Sequence, residues 1–167
     1  GNLSSGQLTT DDVHIVKPWL LNGGSRAFWG SGDGLARSMD AENVTARGFL
    51  NDVLGTLYRC NTIRDAQCPP TTALDSTYCL PTGDVAGSEF VSNVPTNLAG
   101  NGCFGLRSFD VIRLNPSIST ARGQLYYVKN GQNTEFASVT NRDPAAGGYR
   151  IVLDGFGQLS GRDVRDV

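Results

Sequence analysis

The chain has 167 residues, 39% of them apolar and 18% charged, with a net charge of −2, 21 glycines and four cysteines. That length suits one domain with a real core, the near-zero charge excludes a broad basic field for nucleic acid or acidic lipid, and the composition is not that of a disordered chain. No stretch reaches the roughly 20 apolar residues of a membrane span, and the N-terminus lacks the pattern of a secretion leader, so the chain is read as cytosolic or as a mature or shortened form.

Residues 1–37 read as a loop or docking segment. The first twelve are polar and contain Asn2-Leu3-Ser4, a glycosylation sequon by pattern. Val13 to Val16 has the composition of a short strand, and Pro18-Trp19-Leu20-Leu21 that of an apolar plug ended by Asn22-Gly23-Gly24. His14, the single histidine, lies near Asp11 and Asp12, but no serine, cysteine or metal-ligand motif frames it, so it is expected to be an ordinary surface histidine. In Arg26 to Gly34 the spacing of Gly30, Gly32 and Gly34 lacks the Lys-Ser/Thr of a phosphate loop, so a structural loop is expected. Its Phe28 and Trp29 are core if buried and a contact surface for a partner or sugar if exposed; burial is the expectation.

Residues 38–60 carry the helical signal. Ser38 or Asp40 can cap it, and Ala46, Leu50, Val53, Leu54 and Leu57 recur at 3/4 spacing, so the pattern predicts one amphipathic helix from about Asp40 to Arg59. Asn43-Val44-Thr45 is a second apparent sequon. Residues 61–106 form a long irregular segment with Pro69, Pro70, Pro81 and Pro95, the kind of loop that needs covalent pinning. Its acidic residues Asp75, Asp84 and Glu89 do not follow a calcium-loop pattern.

Cys60, Cys68, Cys79 and Cys103 are separated by 7, 10 and 23 residues, not as paired knuckles of a zinc site, so two disulfides and an oxidising compartment are expected. Three connectivities are open; Cys60–Cys68 with Cys79–Cys103 closes the shortest loops.

Residues 107–167 read as strands and a tail. Ser108 to Leu114, Gly123 to Lys129, Thr134 to Val139 and Tyr149 to Asp154 are β-branched and aromatic runs separated by Asn115-Pro116-Ser117, Asn130-Gly131 and a loop with Pro144 and Gly147-Gly148. In the last run Tyr149, Ile151 and Leu153 make one apolar face, and Gln158 to Ser160 is placed to return along it. Short connections favour antiparallel pairing. The fold expected is therefore a single α+β domain, one amphipathic helix packed on an antiparallel β-meander of four or more strands, with a long disulfide-pinned loop.

Arg122-Gly123-Gln124-Leu125-Tyr126-Tyr127-Val128 and the ending Tyr149 to Leu159, behind a helix and a cysteine-bearing connection, resemble the globular heads of type IV pilins and type II secretion pseudopilins, in particular minor pilins. The resemblance covers about residues 107–165. It implies a non-catalytic structural subunit at the cell surface, passing through the periplasm, with other pilin subunits as partners and no cofactor. The family's N-terminal apolar helix is not in residues 1–37, which implies a trimmed form or a head that pairs with a separate short helical pilin chain. Gly161-Arg162-Asp163-Val164-Arg165 loosely resembles a stretch through which some minor pilins bind DNA, but Asp163 and Asp166 interleave negative charge, so a solvated tail is expected instead.

The alternative is a secreted carbohydrate- or surface-binding module, as in tail fibres or lectins, using Phe28, Trp29 or Tyr78. A hydrolase needs a nucleophile with its base or a carboxylate pair, and no motif supplies either. If the cysteines are paired, intact-mass measurement after alkylation finds no free thiol and a reductant lowers the melting temperature by several degrees. Four alkylated cysteines and an unchanged melting curve would overturn both the bridges and the compartment.

Overall fold

The computed structural model describes residues 8–30, 35–60, 78–81, 96–97, 110–127, 135–145 and 147–155. The chain is α+β. Helix α1 spans Thr10–Gly23, strand β1 Arg26–Gly30, α2 Leu35–Glu42 and α3 Val44–Gly48, which runs into a π-helical turn at Phe49–Val53. Seven further strands follow: β2 Thr56–Cys60, β3 Tyr78–Pro81, β4 Thr96–Asn97, β5 Val111–Leu114, β6 Arg122–Tyr127, β7 Phe136–Arg142 and β8 Arg150–Asp154.

The strands join in a mixed sheet with the six-strand path β1-β8-β7-β6-β3-β4, to which β5 adds through β7 and β2 through β5. The strand runs expected after residue 107 are β5 to β8, and β6–β7 and β7–β8 pair antiparallel as the turn signals imply. A simple meander is not what forms. Arg26–Gly30, expected as a loop, pairs with β8 in parallel, and β5 pairs with β7 instead of with its chain neighbour β6. A parallel partner is available to β8 because the long stretch of chain between β1 and β8, which begins with α2 and α3, is ample for a crossover that brings the chain back in the same direction. The proposed return of Gln158 to Ser160 lies outside the described residues.

Strand β7 organises the sheet. Its one edge pairs with β6, while the other is shared: β8 occupies Ser138 to Arg142, and β5 takes over at Phe136. The hand-over is made by Gly155, whose N–H donates to the Ala137 carbonyl (2.7 Å) and whose carbonyl accepts from the Asp110 N–H (2.8 Å). A Cβ on Gly155 would stand 2.1 Å from the Asp110 carbonyl oxygen, so the junction closes only around glycine.

The single helix expected over 38–60 is three elements. Asn43 is extended (φ −167°) and its Oδ1 accepts from the N–H groups of Thr45 (2.9 Å) and Ala46 (3.1 Å), ending α2 and starting α3 afresh. The Leu54 N–H then reaches back five residues to the Phe49 carbonyl (3.0 Å), and Gly55 at φ 71° turns the chain into β2. Residues 56–59 are thus strand, because the backbone of this stretch pairs with β5. Four of the five stripe residues lie inward as expected: Ala46, Leu50, Val53 and Leu54 are buried with Phe49, Leu35, Ala36 and Met39 against Ile112, Val139, Ile151 and Leu153 of the sheet; the fifth, Leu57, falls on β2 and is only half-buried.

Residues 1–37 are likewise more than a loop. Thr9 and Asp12 cap α1 reciprocally, the Thr9 N–H donating to Asp12 Oδ2 (2.8 Å) and the Asp12 N–H to Thr9 Oγ1 (3.3 Å); the Thr9 N–H, and after it the Thr9 hydroxyl, which also donates to Oδ2, hold the Asp12 carboxyl below its ordinary pKa. Val13 and Leu20 are buried in the core and Val16 packs against it, a 3/4 stripe through the segment expected as strand and plug.

Helix layer and sheet are stitched by Asn141 on β7, 2% exposed. Its Nδ2 donates to the Val53 carbonyl (2.9 Å) and to the Tyr149 hydroxyl (3.4 Å), and its Oδ1 accepts from Thr120 Oγ1 (2.7 Å). Asn141→Asp keeps the shape but removes the donor and buries a charge against a carbonyl, so it is expected to lower stability by about 2–4 kcal/mol in urea unfolding followed by tryptophan fluorescence. A loss under about 0.5 kcal/mol would show that Asn141 does not hold the layers together.

Candidate functional site

Among the described residues four large apolar side chains stand out of the surface, all on α1 or the start of α3: Ile15 (72% exposed), Trp19 (54%), Leu21 (44%) and Val44 (81%). Their position follows from the helix. With Val13, Val16 and Leu20 turned to the core, Ile15 and Trp19, four residues apart, fall on the opposite side, and Leu21 on a flank. The flank faces α3. Between the two helices runs a groove of about 590 Å³ lined by Val13, His14, Lys17, Pro18, Leu21 and Val44 among others. One polar clasp joins its walls, the Asn43 Nδ2 donating to Thr10 Oγ1.

The far end of α1 is anchored to the sheet. Gly24 ends the helix in the left-handed region (φ 58°), Ser25 Oγ donates to the Trp19 carbonyl (3.0 Å), and the Ser25 carbonyl accepts from the Arg150 N–H of β8 (3.0 Å). The exposed face of α1 therefore sits on a rigid base, not on a loose arm.

The residues singled out from sequence are dispersed. Trp29 is partly buried and packs on the core, meeting Phe49 edge to face at 5.9 Å between ring centres. The side chains of Phe28 and Tyr78 lie outside the described residues, as do Cys68, Cys103, the sequon Asn2-Leu3-Ser4 and the C-terminal Gly161 to Arg165. Cys60 closes β2, buried and disulfide-bonded. Asn43 caps α3 with its side-chain oxygen. His14 is exposed on α1 at the groove rim.

Among the described residues no cluster of three or more His, Cys, Asp and Glu gathers as metal ligands, and no helix is long and apolar enough to cross a membrane. The surface on α1 was missed because Val13 to Val16 and Pro18 look unhelical. Thr9-x-x-Asp12 followed by Val13, Val16 and Leu20 and closed by Gly23-Gly24 is the signal that marks the helix.

One ionisable group displaced from its ordinary range is Asp154, at the end of β8 opposite Ser138. Burial raises its carboxyl to about 6, against a smaller opposing effect of the Ser138 hydroxyl. Burial and the nearby Asp143 also raise the Tyr149 hydroxyl. No protein-family model matches the chain, and no curated protein aligns with it.

Because Asp154 binds its proton more tightly folded than unfolded, its contribution is most favourable below about pH 4 and is lost as pH rises toward 6. Asp154→Asn should therefore melt higher than the parent at pH 7.5, by an amount corresponding to about 2–3 kcal/mol, and alike at pH 4. An equal offset at both pH values would mean that the carboxyl's charge is not what the burial penalises.

Proposed function

We propose that this chain is a non-catalytic extracellular structural subunit, the pilin-like head of a surface filament or secretion pseudopilus, and that it joins its neighbours through α1. The observation that carries the reading is the outward apolar face of α1, Ile15 and Trp19 with Leu21 and Val44 beside the groove. Solvent-exposed tryptophan and isoleucine one turn apart on a capped, anchored helix cost solubility and suit an interface, where aromatic anchors dominate the energy. The partners would be other pilin subunits, including a separate short helical chain whose apolar side fits the groove between α1 and α3.

The proposal also uses the architecture behind α1. A sheet with a helix layer on one face presents a stiff body, and a bridge from Cys60 would pin the cysteine-bearing segment as a variable surface. In the finer form of this reading the second bridge joins Cys79 and Cys103.

The competing reading, a sugar-binding module, requires an exposed aromatic platform. Trp29 packs inward, whereas Trp19 offers its ring to solvent, so one residue separates the two readings. The double variant Ile15→Lys, Trp19→Lys should leave the melting temperature within a few degrees, since both side chains are exposed, and should cut incorporation into surface filaments of the native host by about tenfold or more, scored by antibody label in electron micrographs. Unchanged labelling, or a parent chain that labels no filament and binds a glycan array through Trp19, would overturn the filament reading.

A further inference from the structure

The sheet ends at three strands: β1, β4 and, on the branch through β5, β2. Two of these ends are blunted as edge strands usually are. β4 is two residues long, and the ladder of β2 is broken by a register shift between Tyr58 and Cys60. β1 has neither device. Its five residues, Arg26-Ala27-Phe28-Trp29-Gly30, lie on β8 without a register shift, contain no proline and carry one charge, at the first position.

The phase of the ladder decides which backbone groups of β1 face away from β8. The Arg150 N–H donates to the Ser25 carbonyl (3.0 Å), and Arg26 is aligned with Arg150. In a parallel pair of that phase Ala27 and Trp29 turn their N–H and carbonyl groups to β8, and Arg26, Phe28 and Gly30 turn theirs to the outer edge. Among the described residues no strand meets that edge. A straight, unbroken row of backbone donors and acceptors is a template for another strand.

We propose that the outer edge of β1 pairs antiparallel with the same edge of a second copy of this chain, about a two-fold axis through Phe28. The outward residues are evenly spaced about Phe28, so the edge is its own complement. Arg26 falls opposite Gly30 of the other copy and Phe28 opposite Phe28, each pair exchanging two N–H···O=C bonds. Charge selects this register. In it the two copies of Arg26 stand at opposite ends of the strand pair, roughly 13 Å apart along it, and each lies across from a residue without a side chain. In a parallel, in-register pair Arg26 would face Arg26 directly, which opposes pairing. The interface is one short strand pair, so the dimer is weak, with a dissociation constant on the order of 100 µM. It uses neither the apolar face of α1 nor the groove beside it, and does not rest on the filament reading.

The test is sedimentation equilibrium of the full chain from about 10 µM to about 1 mM, with amide hydrogen exchange measured at both ends of that range. The expected result is a mass that doubles with concentration, and amides of Arg26, Phe28 and Gly30 that exchange at least about tenfold more slowly in the dimer, while those of Ala27 and Trp29, already bonded to β8, are slow throughout. Arg26→Pro removes one outward donor at the first strand position, where an edge strand accepts proline, and should weaken the dimer about tenfold or more. Arg26→Gln keeps the N–H and should stay within about threefold of the parent. Slow exchange at Ala27 and Trp29 verifies that β1 of the proline variant still lies on β8; should that protection be lost, the concentration dependence of exchange in the parent chain decides. A chain that stays monomeric, a dimer whose Arg26, Phe28 and Gly30 amides exchange as fast as at low concentration, edge amides already slow in the monomer, or a dimer that a folded Arg26→Pro variant leaves intact would each overturn the proposal.

Discussion

The buried amide of Asn141 is the contact on which the two layers depend. Helix ends leave carbonyls without partners, and the π-helical turn delivers one of them, that of Val53, into the interior where water cannot serve it. Asn141 meets that carbonyl with a donor and turns its own oxygen to Thr120, so one side chain on the central strand closes the helix layer, the β5–β6 connection and, through Tyr149, the entry to β8. An aliphatic residue of the same size would fill the space and leave these groups unsatisfied, which is the costlier state inside a protein.

The second constraint is the shared edge of β7. Two strands running the same way cannot occupy one edge side by side, so β8 must leave before β5 begins, and Gly155 makes the exchange without a broken ladder. Asp110 works on both sides of that exchange. Its N–H takes the Gly155 carbonyl, and its buried carboxylate Oδ2 accepts from the Ala36 N–H (2.7 Å) at the positive end of α2. The start of the helix layer is thereby tied to the seam of the sheet, and β2 extends the sheet beyond β5 by its ladder with that strand, where Arg59 and Arg113 gather on the carboxylate of Glu135.

The exposed face of α1 and the pairing of β1 with β8 share one corner. Gly24 and Ser25 end α1 and begin the approach to β1; Ser25 holds Trp19's carbonyl on one side and the Arg150 N–H on the other. The apolar face of α1 and strand β1 are therefore held by the same short turn, and what positions the helix also sets β1 in register with β8.

Much of this was legible in the chain itself. The β-branched runs with their Pro, Asn-Gly and Gly-Gly breaks locate β5 to β8, and the 3/4 spacing of Ala46, Leu50, Val53 and Leu54 identifies the face that lies on the sheet, because both signals are local and set by backbone preference and side-chain period. The apolar face of α1 was half legible: its capping box and inward stripe are in the sequence, but the β-branched run and Pro18 argue locally for another state, and packing of Val13 and Leu20 on the core overrides them. Three features belong to the tertiary structure alone. Arg26, Arg142 and Arg150 become neighbours only when β1 joins β8 in parallel, Asn43 divides a helix that periodicity would continue, and β5 pairs with β7 instead of β6. Each is a choice of partner between segments distant in the chain or a competition between a side chain and the backbone, and no local pattern encodes which partner wins.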